Sequence, residues 1–154
     1  MTLIDKEPVK RVQKILKQFE TNSEVIVLKS SARTALDAAK SLNCEVGAIV
    51  KSLLFKTEQN FILGLVAGDK KASLNKIKKI LNMKDVSMAS ADDVKNVTGF
   101  TIGGVSPIGH LNKIEILIDL SLERFDELFA AAGHPNCIFK ISFEDLSKIT
   151  NGSI

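Results

Sequence analysis

The chain contains neither tryptophan nor tyrosine among its 154 residues, and it has eight phenylalanines. Stacking on aromatic side chains is a main source of affinity for single-stranded nucleic acid, so the sequence offers little material for a stacking platform. Only two cysteines, three prolines and nine glycines are present. These low counts exclude a disulfide scaffold, a collagen-like repeat and a low-complexity disordered chain.

Long apolar runs are also missing. The longest, residues 61–68, is far shorter than the stretch of about 20 residues that crosses a bilayer. The first eight residues lack the order of a secretory signal, in which a basic region precedes an apolar one. Cys44 and Cys137 show no sign of pairing, which fits a reducing compartment. We therefore expect a cytoplasmic protein without a membrane segment.

The excess of positive charge is small. Twenty-one basic and 18 acidic residues give a net charge of +3. Proteins that bind along a duplex usually carry more positive charge in clusters, so this value permits a short contact with nucleic acid without requiring one. The composition is 45% hydrophobic and 25% charged, as in ordinary globular proteins. We expect residues 1–154 to form a single domain that folds without a metal or disulfide.

Apolar spacing predicts an alternation of helices and strands. Six amphipathic helices are expected to begin near Pro8, Thr34, Ser73, Ser90, Leu122 and Ser142. Runs of β-branched and aromatic residues predict strands at 25–28, 50–56, 61–67, 85–89, 114–119 and 137–141. The polar residues 57–60 separate two of these strands and predict a hairpin. An α/β fold with a mixed sheet and flanking helices accounts for this order.

A glycine-rich loop is the first candidate for chemistry. Gly103, Gly104, Pro107 and Gly109 fall within seven positions. Such a loop exposes main-chain N–H groups that can bind an anion or the oxyanion of an acyl-transfer intermediate. The alternative is a tight turn between strands. The pattern is neither a phosphate-binding P-loop nor the dinucleotide fingerprint.

Lys51 is the second candidate. Because strand residues alternate between faces, Lys51 shares a face with Leu53 and Phe55, opposite Val50 and Leu54. A lysine on an apolar face needs a partner or a path to water. It either extends outward to solvent or lies at a cleft and binds a phosphate or a carboxylate.

The histidines and cysteines leave more than one interpretation open. His134 lies between a glycine and Pro135, where it orients a substrate, shuttles a proton or is a solvated loop residue. His110, directly after the glycine loop, has the same alternatives. His134 and Cys137 have a spacing typical of zinc ligands, but no second pair is close in sequence. We therefore expect no metal site.

Two other pairs of residues lie near predicted helix starts. Arg33 and Thr34 either cap a helix at the surface or form the wall of a cleft. Lys70 and Lys71 either approach a helix in solvent or contact a phosphate. There is no Gly-x-Ser-x-Gly elbow, and no histidine is placed near a cysteine by a known pattern, so a nucleophilic triad is not predicted.

Five stretches resemble the YbaK / prolyl-tRNA synthetase-associated editing domain family: residues 32–39, 49–55, 66–69, 103–109 and 132–135. They occur in order over most of the chain, from about residue 25 to 150. The most specific elements are Lys51 and the Gly-x-x-x-Pro loop that begins at Gly103 and ends at Pro107. The resemblance rests on the presence of both elements at this separation in the sequence, because either element alone is a weak signal.

The resemblance implies a compact α/β fold around a mixed, curved sheet, and a hydrolase that cleaves the ester between a wrong amino acid and tRNA. Lys51 would hold the 3′-terminal nucleotide. The loop against the aminoacyl ester would consist of Gly103, Gly104, Val105, Ser106 and Pro107. Ile108 and Gly109 would support this loop, and His134 would shape the amino-acid pocket.

Such a reaction requires few protein groups, because an aminoacyl ester is already activated. It needs a positioned water, donors for the developing oxyanion and a contact that holds the terminal nucleotide. No protein base is identifiable, and in this family the terminal ribose hydroxyl of the substrate is thought to assist. No cofactor is implied. The expected partners are the 3′ end of aminoacylated tRNA, above all proline tRNA, and prolyl-tRNA synthetase in a transient contact.

The substrate amino acid is less defined. Arg33, Thr34 and His134 resemble the freestanding deacylases for alanine or small aliphatic residues more than the cysteine-specific type. Alanine, 2-aminobutyrate and cysteine all remain candidates. The alternative function is a non-catalytic module that uses the same cleft to bind a nucleotide or a partner, and a zinc-dependent hydrolase is a weaker third hypothesis.

Overall fold

The computed structural model describes residues 2–19 and 23–154 of the chain. Five α-helices are present: α1 (Glu7–Gln18), α2 (Ala35–Leu42), α3 (Leu74–Leu81), α4 (Ala91–Thr98) and α5 (Phe143–Thr150). Seven strands accompany them: β1 (Ile26–Val27), β2 (Ile49–Lys56), β3 (Phe61–Ala67), β4 (Ser87–Met88), β5 (Glu115–Ile118), β6 (Leu128–His134) and β7 (Cys137–Ile141). Short 3₁₀ turns cover Leu3–Asp5, Val46–Ala48 and Leu120–Arg124.

All seven strands belong to one mixed sheet in the order β1-β7-β6-β2-β3-β5, with β4 added to the edge of β2. The pairs β2–β6 and β3–β5 are parallel, whereas the other pairs are antiparallel. The predicted hairpin is the β2–β3 pair, in which Val50 lies opposite Ala67 and Lys56 lies opposite Phe61. The expected α/β fold with a mixed sheet and flanking helices is confirmed.

Hydroxyl caps fix the starts of four helices. The side chains of Thr34, Ser73, Ser90 and Ser142 each accept a hydrogen bond from the main-chain N–H three residues later. This arrangement satisfies an N–H group that has no partner inside the helix. The helix starts predicted at these four residues are therefore confirmed.

The helix predicted to begin near Leu122 and end at Gly133 is wrong. Only Leu120–Arg124 is helical, as a 3₁₀ turn, and Leu128–His134 is strand β6. Burial alternates along this strand, with Leu128, Ala130 and Ala132 inside. Pairing with β2, which is distant in sequence, and with β7, the other strand of the same hairpin, outweighs the helical preference of the alanine-rich segment.

Helices cover both faces of the sheet, as the alternation along β2 shows. Val50 and Leu54 belong to the main core cluster with residues of α1, α4 and α5. On the opposite face, Ile49 packs with α2, and Leu53 and Phe55 pack in the cluster that contains Ile77 of α3. The predicted alternation of β2 is confirmed, and it places Lys51 on the face that carries α2 and α3.

None of the helices in residues 2–19 and 23–154 is long and apolar enough to cross a membrane.

Candidate functional site

A gap in the sheet opens a cavity beside strand β2. Strand β2 pairs with β6 at Ile49 and Val50, and with β4 at Phe55 and Lys56. Between these contacts, residues 51–53 have no described strand at that edge. The gap opens into a cavity of about 390 Å³, which lies within the range of small-ligand sites. Its walls come from the start of α2, the edge of β2, the glycine loop and the β6–β7 hairpin.

Two cations supply the charge of this cavity. Arg33 and Lys51 line it, and no aspartate, glutamate or histidine of the described chain does. The half-buried Lys51 donates a hydrogen bond from Nζ to the main-chain carbonyl of Lys70. This contact fixes the position of the ammonium beside Lys70. A cavity with two cations and no carboxylate suits a phosphate or another anion.

The glycine loop forms the wall that carries free donors. Gly103 and Val105 line the cavity, and neither N–H donates a hydrogen bond to any described residue. The N–H of Gly104, by contrast, is used, because it donates to the carbonyl of Thr101 at 2.9 Å. Two N–H groups, those of residues 103 and 105, are therefore available for an oxyanion.

Close packing of the loop explains two of its glycines. A Cβ on Gly104 would lie 2.9 Å from the main-chain nitrogen of His134, so the loop touches the β6–β7 turn. Gly103 has a φ of +97°, and a Cβ there would lie 2.9 Å from Cγ of Arg33. The backbone conformation and the absence of side chains let the loop fit between Arg33 and the hairpin.

Arg11 of α1 anchors the loop at Gly109 and the chain before the loop at Gly99, and sequence reasoning missed it. Its Nε donates to the carbonyl of Gly109 at 2.9 Å, and its Nη2 donates to the carbonyl of Gly99 at 3.1 Å. The guanidinium carbon also lies 4.9 Å from the centre of the Phe100 ring. No sequence pattern links these residues, which are about 90 or more positions apart from Arg11 in the chain.

The rest of the loop lies behind its cavity wall. Ser106 is fully buried, and its carbonyl accepts a hydrogen bond of 2.7 Å from Nε2 of His110. The Ser106 hydroxyl accepts from the N–H of Ile108 at 3.3 Å. Burial lowers the pKa of His110, and the charge of Arg11 acts in the same direction. Among the candidate loop residues, Gly104, Ser106, Pro107 and Gly109 do not line the cavity.

His134 also lies behind the loop rather than in the cavity lining. Its Nδ1 accepts a hydrogen bond of 3.0 Å from the N–H of Asn136, which assigns the proton of the neutral ring to Nε2. Partial burial lowers the pKa of His134, and the nearby charge of Lys6 adds to this effect. The structure therefore gives His134 a place at the hairpin turn that supports Gly104.

Arg33 and Thr34 both line the cavity at the start of α2. The Thr34 hydroxyl serves as the helix cap, since it accepts from the N–H of Asp37 at 3.1 Å. Thr34 is thus both a helix cap and part of the cleft wall, two roles that the sequence left open. Lys70 and Lys71 do not line this cavity, although the carbonyl of Lys70 contacts Lys51.

Ser52 is a second residue that sequence reasoning missed. It lines the cavity, and its buried Oγ has no hydrogen-bond partner in the described part of the chain. Leu54 accepts a hydrogen bond from the N–H of Ala89 at the same edge of β2. By the two-residue period of a strand, the main-chain groups of Ser52 point to that edge too. A ligand in the cavity would find several unpaired polar groups at this position.

The spacing of His134 and Cys137 does not lead to a metal cluster in the described residues, where no group of three or more metal-binding side chains occurs. The Nδ1 atom of His134 is already occupied by a main-chain N–H. Cys137 is fully buried, and burial raises the pKa of its thiol.

Comparison with known sequences identifies the family. The profile of the aminoacyl-tRNA editing domain matches residues 29–149. The chain therefore belongs to the aminoacyl-tRNA editing domain family, which confirms the resemblance inferred from Lys51 and the glycine loop.

Several relatives extend this result. The chain is 32% identical over 143 residues to the uncharacterized protein YwhH of Bacillus subtilis, covering 92% of this chain and 90% of that protein. It is 29% identical over 123 residues to the proline–tRNA ligase of Kosmotoga olearia, covering 80% of this chain. The matched region spans about a fifth, 20%, of that ligase.

A solved structure shows the same fold. It belongs to a candidate trans-editing enzyme for prolyl-tRNA synthetase, superposes with a TM-score of 0.90 and is 34% identical. The match covers 96% of this chain and 94% of that chain.

Proposed function

We propose that this chain is a trans-editing deacylase that hydrolyses the ester of mischarged tRNA. The expected substrate is proline tRNA that carries alanine, 2-aminobutyrate or cysteine. One observation carries the proposal: in a chain of the editing family, Lys51 lines the same cavity as Gly103 and Val105, whose N–H groups donate to no described residue. Because Arg11 of α1 anchors the loop, we take residues 1–154 to act as one editing domain.

Lys51 is proposed to bind the terminal nucleotide of the tRNA. Lys51 lines the cavity, its ammonium is held by the Lys70 carbonyl, and it retains two further N–H donors for a ligand. Arg33 supplies a second cation on the wall. Charged hydrogen bonds of this kind would position the ester relative to the loop.

The glycine loop is proposed to stabilise the transition state. Water attacks the ester carbonyl, the carbonyl oxygen gains negative charge, and the bond to the ribose oxygen then breaks with transfer of a proton to that oxygen. Gly103 and Val105 line the cavity, and their N–H groups donate to no acceptor among the described residues. Loss of one such donor typically lowers kcat by about 10²–10³-fold.

The attacking water requires a base or an orienting group. No carboxylate or imidazole lines the described cavity, and the Ser106 hydroxyl is buried behind the loop. We therefore propose that the free hydroxyl of the terminal ribose orients the water. This assignment gives the protein the tasks of binding, positioning and oxyanion stabilisation.

The amino-acid side chain is proposed to occupy the apolar end of the cavity. Ala130, Ala131 and Ile138 belong to its lining, together with Val105 from the loop. Because these residues are apolar, this part of the cavity would select the amino-acid side chain by its volume rather than by hydrogen bonds. Since one methylene changes binding by only about 1–3 kcal/mol, the enzyme is expected to accept several small amino acids at different rates.

A charging panel tests the proposed function. Purified protein is incubated with proline tRNA carrying alanine, 2-aminobutyrate, cysteine or proline, and the release of free amino acid is measured. We expect rapid release of at least one small non-cognate residue and slow release of proline. Binding of these tRNAs without release of any amino acid would support a non-catalytic module and overturn the proposal.

A further inference from the structure

Positive charge is concentrated in one segment outside the cavity. Residues 70–84 contain no acidic residue and six lysines: Lys70, Lys71, Lys76, Lys78, Lys79 and Lys84. The whole chain has a net charge of only +3, so the rest of it is net negative. This basic segment, defined as residues 70–84, is therefore the strongest departure from the average charge of the protein.

The lysines of the basic segment are free to meet a partner. Within the described chain, none of the six forms a salt bridge. Five are exposed, and only Lys78 is half-buried. The preceding acidic residue, Asp69, is already held by Arg124 through two hydrogen bonds of 2.8 and 3.0 Å. The charge of the segment is thus not neutralised by its neighbours.

Three of these lysines converge on one groove. Lys70, Lys71 and Lys76 line a second cavity of about 520 Å³ at the start of α3. Asp119 also lines it, but its carboxylate accepts main-chain hydrogen bonds of 3.1 Å from Ala67 and 2.9 Å from Ser121. The groove therefore combines three lysines with a carboxylate that is engaged by the backbone.

The basic segment adjoins the candidate active site. Helix α3 packs through Ile77 in the cluster of Phe55, on the same face of the sheet as Lys51. The hydrogen bond from Lys51 to the carbonyl of Lys70 links the cavity wall directly to the first residue of the segment. A polyanion that contacts Lys51 would therefore lie next to the start of the basic segment.

We propose that the basic segment binds the phosphate backbone of the RNA duplex that adjoins the single-stranded 3′ end in the cavity. This inference rests on the proposed function. Lysine ammonium groups act as point charges toward phosphates and read no base sequence. The segment would therefore add affinity for tRNA in general, without selecting the tRNA or the amino acid.

A triple variant, Lys71→Gln with Lys76→Gln and Lys79→Gln, tests this surface. These residues are exposed, and none belongs to the proposed catalytic machinery. The control removes the same charge from the exposed side of α1 through Lys10→Gln, Lys14→Gln and Lys17→Gln. Both proteins should keep the unfolding midpoint of the wild type, because every substituted side chain is exposed.

Deacylation is then measured with full tRNA at several salt concentrations. We expect the α3 triple variant to raise KM about tenfold or more with kcat unchanged. The slope of log KM against the logarithm of the salt concentration should also decrease by about one for each phosphate contact that is lost. The α1 control should stay within about twofold of the wild type. Equal effects of the two triple variants, or no effect of either, would overturn the inference.

A substrate without a duplex separates this inference from the proposed function. The aminoacylated trinucleotide CCA should be hydrolysed equally by the wild type and the α3 triple variant. If the wild type hydrolyses neither substrate, the proposed function fails, and binding of uncharged tRNA still tests the surface. An α3 effect that appears only when prolyl-tRNA synthetase is present would assign the lysines to a protein partner and contradict RNA binding.

Discussion

The cavity and the basic segment are both positively charged, but they are built differently. In the cavity, Lys51 is half-buried and anchored to a carbonyl, and the glycine loop contributes Gly103 and Val105 to the same lining. The basic segment carries exposed lysines without salt bridges in the described structure. Anchored charge is suited to positioning an ester, whereas exposed charge is suited to attracting a polyanion.

The largest expected effect is that of Lys51→Met. A charged hydrogen bond contributes about 1.5–3 kcal/mol, which corresponds to about 10- to 150-fold in kcat/KM when it acts on the transition state. We expect a loss near the upper end, measured as release of amino acid from mischarged tRNA. Lys56→Met is the matched control, because Lys56 is an exposed lysine at the end of the same strand.

This variant also separates the two charged regions. If Lys51→Met and a single α3 substitution such as Lys76→Gln reduced deacylation to the same extent and with the same salt dependence, the anchored lysine would have no special role. In that case both regions would act as general attractors for RNA.

The next effect is that of Gly104→Ala. The added Cβ would lie 2.9 Å from the backbone nitrogen of His134, so the loop must move away from the hairpin. Strain of this kind costs about 1–3 kcal/mol. We expect a lower unfolding midpoint and a decrease in kcat of about tenfold, because the free N–H groups move with the loop.

Gly64→Ala provides the control for steric strain. Its Cβ would lie 2.8 Å from the ring of Phe55, on the side of the sheet that packs against α3. It should lower stability without lowering kcat at a temperature where the protein is folded. A similar decrease in kcat for both variants would remove the link between the loop and the chemistry.

A smaller effect is expected for Ser52→Ala. The buried Ser52 hydroxyl has no partner in the described chain, and burial of an unsatisfied hydroxyl is unfavourable. Its removal should leave the free energy of unfolding unchanged or raise it by about 1 kcal/mol. If the hydroxyl binds substrate, kcat/KM should fall by about three- to tenfold at the same time. Chemical denaturation measures the change in the free energy of unfolding, and the deacylation assay measures the change in kcat/KM.

The control is Ser87→Ala, which removes an exposed hydroxyl from β4. It should change neither quantity. A Ser52→Ala variant that is more stable and fully active would show that the hydroxyl has no role in the reaction.

The smallest expected effect is a pH dependence of stability that arises in the loop. Burial lowers the pKa of His110 below its ordinary value of 6.5. The unfolded state therefore takes up a proton before the folded state does, so stability is complete above pH 6.5 and falls as the pH decreases through the lowered value.

Urea unfolding at pH 7.5 and pH 5.5 measures the effect, with His110→Gln as the comparison. We expect the wild type to lose more stability on acidification than this variant. The carboxylates of Asp69 and Asp119, whose pKa values are lowered from 3.8, contribute only at more acidic pH. Equal losses of stability in the wild type and in His110→Gln would show that His110 does not contribute to the pH dependence of stability.

Much of the fold was predictable because its signals are local. The serine and threonine caps lie within three residues of the N–H groups that they bind, and the alternation along β2 spans only a few positions. The region of Leu128–His134 was not predictable in this way, because its strand conformation depends on pairing with β2, which is distant in sequence, as well as with the adjacent β7. Its alanines favour a helix in the absence of those neighbours.

The candidate site shows the same division. Arg33, Lys51 and Gly103 were singled out from the sequence, and the structure brings them to one cavity. Arg11 and Ser52 were missed, since the role of Arg11 depends on carbonyl groups about 90 or more positions away and that of Ser52 depends on a gap between strands.

A structure of the protein with a non-hydrolysable analogue of the aminoacylated terminal adenosine, in which an amide replaces the ester, tests the proposed site. We predict that the nucleotide contacts the ammonium of Lys51 and that the amide oxygen lies within hydrogen-bond distance of the N–H groups of Gly103 and Val105. An analogue bound outside this cavity, or with its carbonyl turned away from the loop, would contradict the proposed site.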